Sequence, residues 1–266
     1  MEIAIIILVC LEVLLIVILF LVFANGRKIR KEIKQLENSV DTSRIDIYKS
    51  ENLEKLPEPV QRYFRHILKD GQIYINIAKI RQSGSIRLKE TQKWMQLKSV
   101  QYFNAQSPAF IWVANAKSSP FFWISAIDKY FNSRASMIIR LFSLFTITKS
   151  TGKEMDKSSL VRYISEMPWF PTSFLPSNNL SWEPLNEESA IAVIKNGKDK
   201  ARVTFYFDIG GELTSATSKE RFRFSDGKYY KEINDIRVPT IIEAEWNLQS
   251  GDFKYFKATL EKIEYN

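Results

Sequence analysis

RVTFYF, residues 202–207, decides the fold of this chain. Val203, Phe205 and Phe207 fall on one face of an extended strand and Arg202, Thr204 and Tyr206 on the other, because successive strand side chains alternate. The same period of two returns at residues 242–248, where Ile242, Ala244, Trp246 and Leu248 oppose Glu243, Glu245 and Asn247. It opens at residues 73–78, where Ile73, Ile75 and Ile77 alternate with Tyr74, Asn76 and Ala78. One apolar and one wet face is the mark of an antiparallel sheet. Further strand candidates cover residues 80–89, 94–104 and 110–116, the last two separated by Ser107-Pro108. Asn196-Gly197, Gly210-Gly211, Asp226-Gly227 and Ser250-Gly251 divide strand-like runs and read as hairpin turns. The pattern predicts about ten strands, largely in consecutive hairpins.

Two helices interrupt the strand pattern. Residues 56–68 read LPEPVQRYFRHIL, with proline tolerated in the first turn and Val60, Phe64 and Ile67 or Leu68 as the buried stripe. His66, the only histidine, falls off that stripe beside Arg62 and Arg65 and reads as a solvated surface residue. Residues 153–169, KEMDKSSLVRYISEMPW, carry Glu154 and Asp156 early, an apolar stripe of Leu160, Val161 and Ile164, and Pro168 near the end. Pro171 and Pro176 then end or kink the chain beyond this helix. The expected fold is mainly β: a strongly curved antiparallel sheet, or half-barrel, whose concave face receives the 153–169 helix as a lid.

Outside this domain the chain changes character. Residues 3–23, IAIIILVCLEVLLIVILFLVF, are apolar except for Glu12. A helix of about 21 residues rising about 1.5 Å each spans about 30 Å, the hydrocarbon thickness of a bilayer. A cleavable signal would need a basic start, a shorter apolar run and a small-residue cleavage site, and Met1-Glu2 and Ala24-Asn25-Gly26 supply none of them. A lipid on Cys10 would need a small residue before it, where Val9 stands. A single transmembrane anchor is therefore expected.

Arg27, Lys28, Arg30, Lys31 and Lys34 crowd the C-terminal side of the run, whereas no Lys or Arg precedes it. The positive-inside bias places the following domain in the cytoplasm, and the same cluster can rest on anionic head groups. Glu12, at the middle of the run, either pairs with another helix or is carried protonated. The expected organisation is an anchor at 1–25, a basic neck and linker at 26–55 whose Ile29, Ile33 and Leu36 prolong the helix, and one β domain at 56–266.

Composition excludes several classes. The 266 residues include 18 Phe, 11 Tyr and 6 Trp, ample bulk for one core. The single cysteine lies in the apolar run, so no disulfide framework or cysteine metal site is available. The net charge of +8 is spread among alternating acids beyond the neck, which argues against nucleic-acid binding.

Several stretches carry a resemblance: LPEPVQRYFRHIL at 56–68, Trp94 with Gln101 and Phe103, PAFIWVA at 108–114, Asp128 with Tyr130, SWEP at 181–184 and FKYFKATLEKIEYN at the end. In this order they resemble a family of bacterial proteins with a domain of unknown function, often found behind a membrane helix. Where that family has a glycine-rich turn after Asp-x-Tyr, this chain has Asn132, Ser133 and Ala135, and Asn132 can still adopt the left-handed conformation. The family carries no established catalytic residues. The strand order also resembles the lipoprotein-carrier half-barrels, in which a curved sheet and helical lid enclose an apolar cavity for acyl chains. That likeness implies a domain outside the cytoplasmic membrane, against the charge bias.

Catalytic sets are sparse. No G-x-S-x-G accompanies His66, and neither a phosphate-cradling G-x-x-x-x-G-K nor H-E-x-x-H occurs. Asp128, Glu154, Glu166, Glu183, Glu243 and Glu245 could supply an acid/base pair, but in a chain with 30 acids they carry little signal. No cofactor or metal is implied. Trp94, Phe103, Phe110, Trp112, Tyr130, Phe205 and Trp246, spread over several strands, either fill the core or line an apolar pocket. The expectation is a non-enzymatic, membrane-tethered module for a hydrophobic or lipid-like ligand, the alternatives being a membrane-anchored scaffold or an enzyme.

Overall fold

One register defect near the middle of the sheet shows how its two halves are joined. β1 (Ile77–Ile86) pairs on one side with β2 (Met95–Asn104) and on the other with β13 (Gly251–Tyr265), the last strand of the chain, with a shift between Arg81 and Gln82. A Cβ on Gly84 would stand 2.0 Å from the Lys257 carbonyl oxygen, so only glycine permits this approach. The structure is a computed structural model describing residues 2–43, 45–218, 223–248 and 251–266, with side chains described in these ranges except at 223–228 and 247–248.

From this seam the sheet unrolls as two antiparallel meanders. On one side follow β3 (Ala109–Ser119), β4 (Phe122–Phe131), β5 (Arg134–Leu141) and β6 (Phe145–Thr151). On the other lie β12 (Ile236–Leu248), β11 (Arg223–Ile233), β10 (Leu213–Thr217), β9 (Asp199–Phe207), β8 (Ser189–Asn196) and β7 (Leu180–Asn186). Only β1 and β13 pair out of sequence, and β6 and β7 are left as edges, so the sheet is an open half-barrel of thirteen strands among the described residues. Asn196 Nδ2 donates to Tyr130 Oη across 2.9 Å and ties β8 to β4 across the concavity.

The turns follow local chemistry. Asn132 and Ser133 both take positive φ, 51° and 57°, and form the two-residue β4–β5 turn. Gly197, at φ 60°, opens the β8–β9 turn. Asp226-Gly227 does not form a hairpin: both residues lie inside β11, at a register shift between Ser225 and Lys228, and the chain turns instead at Asn234-Asp235. A local glycine can serve a bulge as well as a turn, and the sequence signal does not separate the two. Of the Ser250-Gly251 turn, Ser250 lies outside the described residues. The strand count exceeds about ten because β6, at the open edge, is mostly exposed and β5 beside it is only half-covered, so neither leaves a clean alternation. Ile73 stands before the sheet and makes a single bridge with Ile47.

Helices fill the concave side. α2 (Glu58–Ile67) buries Val60, Tyr63, Phe64 and Ile67. His66 is half-buried against Glu212, Nε2 to Oε1 3.4 Å, rather than solvated. α3 (Lys153–Glu166) buries Leu160, Val161 and Ile164. It is pinned at its start by Asp156, which accepts from the Ala135 N–H across 2.6 Å, and further on by Tyr163 Oη donating to the Asn104 carbonyl. Two short 3-10 turns, Met167–Trp169 and Pro171–Phe174, replace the end of the expected helix because prolines remove the donors that α-helical bonding needs. Phe103, Phe110, Phe170, Phe174 and Phe205 pack there without exposed surface, each contributing about 1.5–3 kcal/mol of burial.

α1 (Glu2–Asn38) is one unbroken helix. Among the described residues it is the one helix long and apolar enough to cross a membrane, with its apolar window entirely outside the protein body. Its last turns lie on the convex face, where Leu36 clusters with Ala109 and Ile111, and Lys129 pairs with Glu32 at 3.0 Å. The stretch read as a linker is packed as well: Tyr48 and Leu53 belong to the core.

Candidate functional site: an apolar cavity on a charged floor

The inward positions of β3 run Trp112, Ala114, Ala116, and register sets them opposite Asp128, Ala126 and Ile124 of β4. Ala244 of β12 reaches the same space. Elsewhere the concave face carries phenylalanine and tyrosine, and α3 seals it; here methyl groups face one another and α3 does not reach across. The result is a cavity of about 270 Å³ whose walls include Leu97, Met137, Ile139, Ile242 and Phe256. It is near the lower end of the range of about 300–1,000 Å³ typical of small-molecule pockets.

Its floor is polar. Arg162 of α3 donates from Nη1 to Asp128 Oδ2 at 2.7 Å, from Nε to Glu166 Oε1 at 3.0 Å, and from Nη2 to Gln101 Oε1 at 3.3 Å. Gln101 Nε2 in turn donates to Glu166 Oε2 at 2.7 Å. The guanidinium lies 5.0 Å from the ring centres of both Phe110 and Trp112, a geometry in which the ring faces add to the attraction. Burial works against the charge of Arg162, but the carboxylates of Glu166 and Asp128 outweigh it and hold the guanidinium ionised, its pKa raised. Burial also pushes the Glu166 carboxyl up, further than Arg162 and Gln101 pull it down, and Asp128 adds to the rise. The two directions are compatible because one cation serves two carboxylates.

The outer end is aromatic and basic. Trp246 stacks on Tyr255 with ring centres 5.4 Å apart, and the Arg87 guanidinium sits 4.8 Å from the Trp94 ring and 5.0 Å from that of Phe253. Arg87, Leu88, Trp246 and Phe253 line this end of the cavity.

Of the aromatics singled out in the sequence, Trp112 and Trp246 face the cavity and Trp94 is half-buried beside its outer end. Phe103, Phe110, Tyr130 and Phe205 are instead fully buried in the packed core. Sequence reading missed Arg162 and the alanines. Arg162 is flanked by Leu160, Val161, Tyr163 and Ile164 and stands four residues before Glu166, a spacing that hints at a buried pair. The Ala114-x-Ala116 step after Trp112 is the trace of the void. Arg27, Lys28, Arg30, Lys31 and Lys34 are exposed along α1.

Residues 46–258 match the sequence model of a family described as Family of unknown function (DUF6544). No curated protein matches the chain. Among solved structures it is similar to a DUF1329 family protein from Desulfovibrio piger ATCC 29098, with 10% identity over 72% of this chain and 86% of that one and a TM-score of 0.38. It is also similar to a domain from Vibrio parahaemolyticus provisionally described as an outer membrane lipoprotein-sorting protein, with 11% identity over 82% and 94% of the two chains and a TM-score of 0.37. A beta-barrel-like protein of domain of unknown function DUF1849 from Brucella abortus matches at 11% identity over 73% and 98%, with a TM-score of 0.32.

Proposed function

This chain belongs to the Family of unknown function (DUF6544), and from that premise we propose that it is a membrane-tethered, non-enzymatic module that binds a single-chain hydrophobic or lipid-like ligand. The cavity carries this reading. Apolar side chains dominate its walls, so a chain of methylenes entering it leaves water at about 0.8 kcal/mol for each buried CH₂. A volume of about 270 Å³ suits one acyl or isoprenoid chain rather than two. Between the basic outer end and the floor the walls are apolar, and on the floor Arg162 and Glu166 are already engaged and fix the depth to which an apolar chain descends. Residues 3–23 of α1 provide the tether, and the basic residues after them favour a domain on the cytoplasmic side.

The test is native mass spectrometry of residues 27–266, a span that keeps the docked turns of α1, purified without detergent. A bound single-chain lipid, lost in Ala114→Phe at an unchanged melting temperature, supports the proposal. A ligand-free protein that takes up no added single-chain lipid refutes it.

A further inference from the structure

The path of α1 over the convex face fixes where the cavity mouth stands relative to the tether. Leu36 clusters with Ala109 and Ile111 at the beginning of β3, with Ile33 and Val113 packed alongside. One turn earlier Ile29 lines a groove with Lys98, Val100 and Asn115. Traced backwards, α1 therefore climbs β3 from its start towards its end, the hairpin that carries Phe121 and Phe122. From Ile29 to Phe23, the end of the apolar run, the helix rises about 9 Å. From Asn115 to Ser119, the end of β3, the strand rises about 13 Å, and the turn that carries Phe121 lies beyond it. The hairpin tip thus reaches at least the level at which α1 becomes wholly apolar.

That end of the sheet is unusual in what it exposes. By register, the β1–β2, β3–β4 and β5–β6 connections lie there, with the end of β12 and the start of β13. Phe121 is 86% exposed, Phe145 66%, Leu88 49% and Phe122 43%. Apolar groups in this number on hairpin tips are costly in water and mark a contact surface. Phe122 and Trp123 hold the tips together through Phe142, at centre distances of 6.0 Å and 4.9 Å. Exposed Lys89, Lys93 and Lys117 lie at this end with Glu90 and Asp252 as the exposed acids, a basic excess suited to anionic head groups. Arg87 and Leu88 belong both to this end and to the cavity wall.

We propose that the tips bearing Leu88, Phe121, Phe122 and Phe145 insert into the interface of the same leaflet that α1 enters, so that the cavity opens onto the membrane and its ligand is a lipid taken directly from the bilayer. This rests on the tethered binding-module reading above. It assigns a role to exposed phenylalanines that neither the anchor nor the cavity itself requires.

The experiment uses the full chain carrying Cys10→Ala, with single cysteines introduced as Phe121→Cys, Phe23→Cys or Lys198→Cys and labelled with an environment-sensitive fluorophore. Lys198 is exposed in the β8–β9 turn, which meets the Asn132-Ser133 turn at the far end of β4. Each protein is placed in phosphatidylcholine–phosphatidylglycerol vesicles containing acyl-chain nitroxide lipid, and aqueous iodide is used in parallel. The expected result is loss of fluorescence to nitroxide at positions 121 and 23 and to iodide at 198. Position 121 quenched by iodide alone, with 23 still quenched by nitroxide, overturns the docking and leaves the tether standing. Iodide quenching at both 121 and 23 overturns the tether as well.

Discussion

Arg162 and Asp128 are joined across the floor of the cavity, Nη1 to Oδ2 at 2.7 Å, and this one bond couples the lid helix to the strand whose alanine makes the void. Because the same guanidinium also holds Glu166, its removal takes from two buried carboxyl groups the cation that compensates them. Arg162→Met is expected to cost about 3–5 kcal/mol of stability, while simultaneous replacement of Arg162, Asp128 and Glu166 by apolar residues recovers most of the loss. Arg162→Lys does not rescue, since an ammonium cannot present the planar fork that meets three partners. Urea unfolding of the variants measures all three.

The raised Glu166 pKa gives stability a pH dependence of definite sign. A carboxyl that binds its proton more tightly when folded makes the native state take up more protons than the unfolded chain. Its contribution is present below the unfolded carboxyl's range and is lost as pH rises through the folded pKa. Glu166→Gln removes that downward slope, whereas a slope unchanged by the substitution shows that other groups carry it. Denaturant midpoints across a pH series read the difference.

α3 is held by its apolar stripe. Leu160 has no exposed surface, so Leu160→Ala is expected to lower stability by about 2–5 kcal/mol. Lys153→Ala, on the exposed first turn, stays within about 0.5 kcal/mol. Thermal melts of the two variants provide the comparison, and equal losses refute the docked geometry.

Alanines at the cavity and in the core should respond oppositely to enlargement. Ala126→Leu adds methylenes into open space and is expected to be neutral or stabilising. Ala192→Leu, fully buried, overpacks and costs about 1–3 kcal/mol. A ligand-binding assay separates them further: Ala126→Leu loses binding while remaining folded.

The sheet was legible because period-two stretches such as 202–207 and 242–248 sit on strands with one buried face. The α3 stripe was legible for the equivalent reason at helical period. The edge strand β6 and its neighbour β5 were faint because neither has a fully covered face, and Asp226-Gly227 misled because the same dipeptide serves turns and bulges. The candidate site was only half visible. Trp112 and Trp246 announce themselves as bulk, but a void is made by what is missing, and Ala114, Ala116 and Ala126 look like ordinary strand filler until register stacks them. Phe103 and Phe205 could not be told from cavity-lining aromatics, since periodicity gives the face of a residue and not the space above it. The contact of Arg162 with Asp128 spans 34 positions and depends on how α3 lands on β4.

The central claim, that the cavity takes a single-chain lipid, is tested most directly by photocrosslinking the full chain in vesicles with a single-chain lipid bearing a diazirine near its terminal methyl, and mapping the adducts. Adducts on Trp112, Met137, Ile139 and Ile242, abolished by Ala114→Phe, are the predicted result. Adducts confined to residues 3–23, unchanged by that substitution, would contradict it.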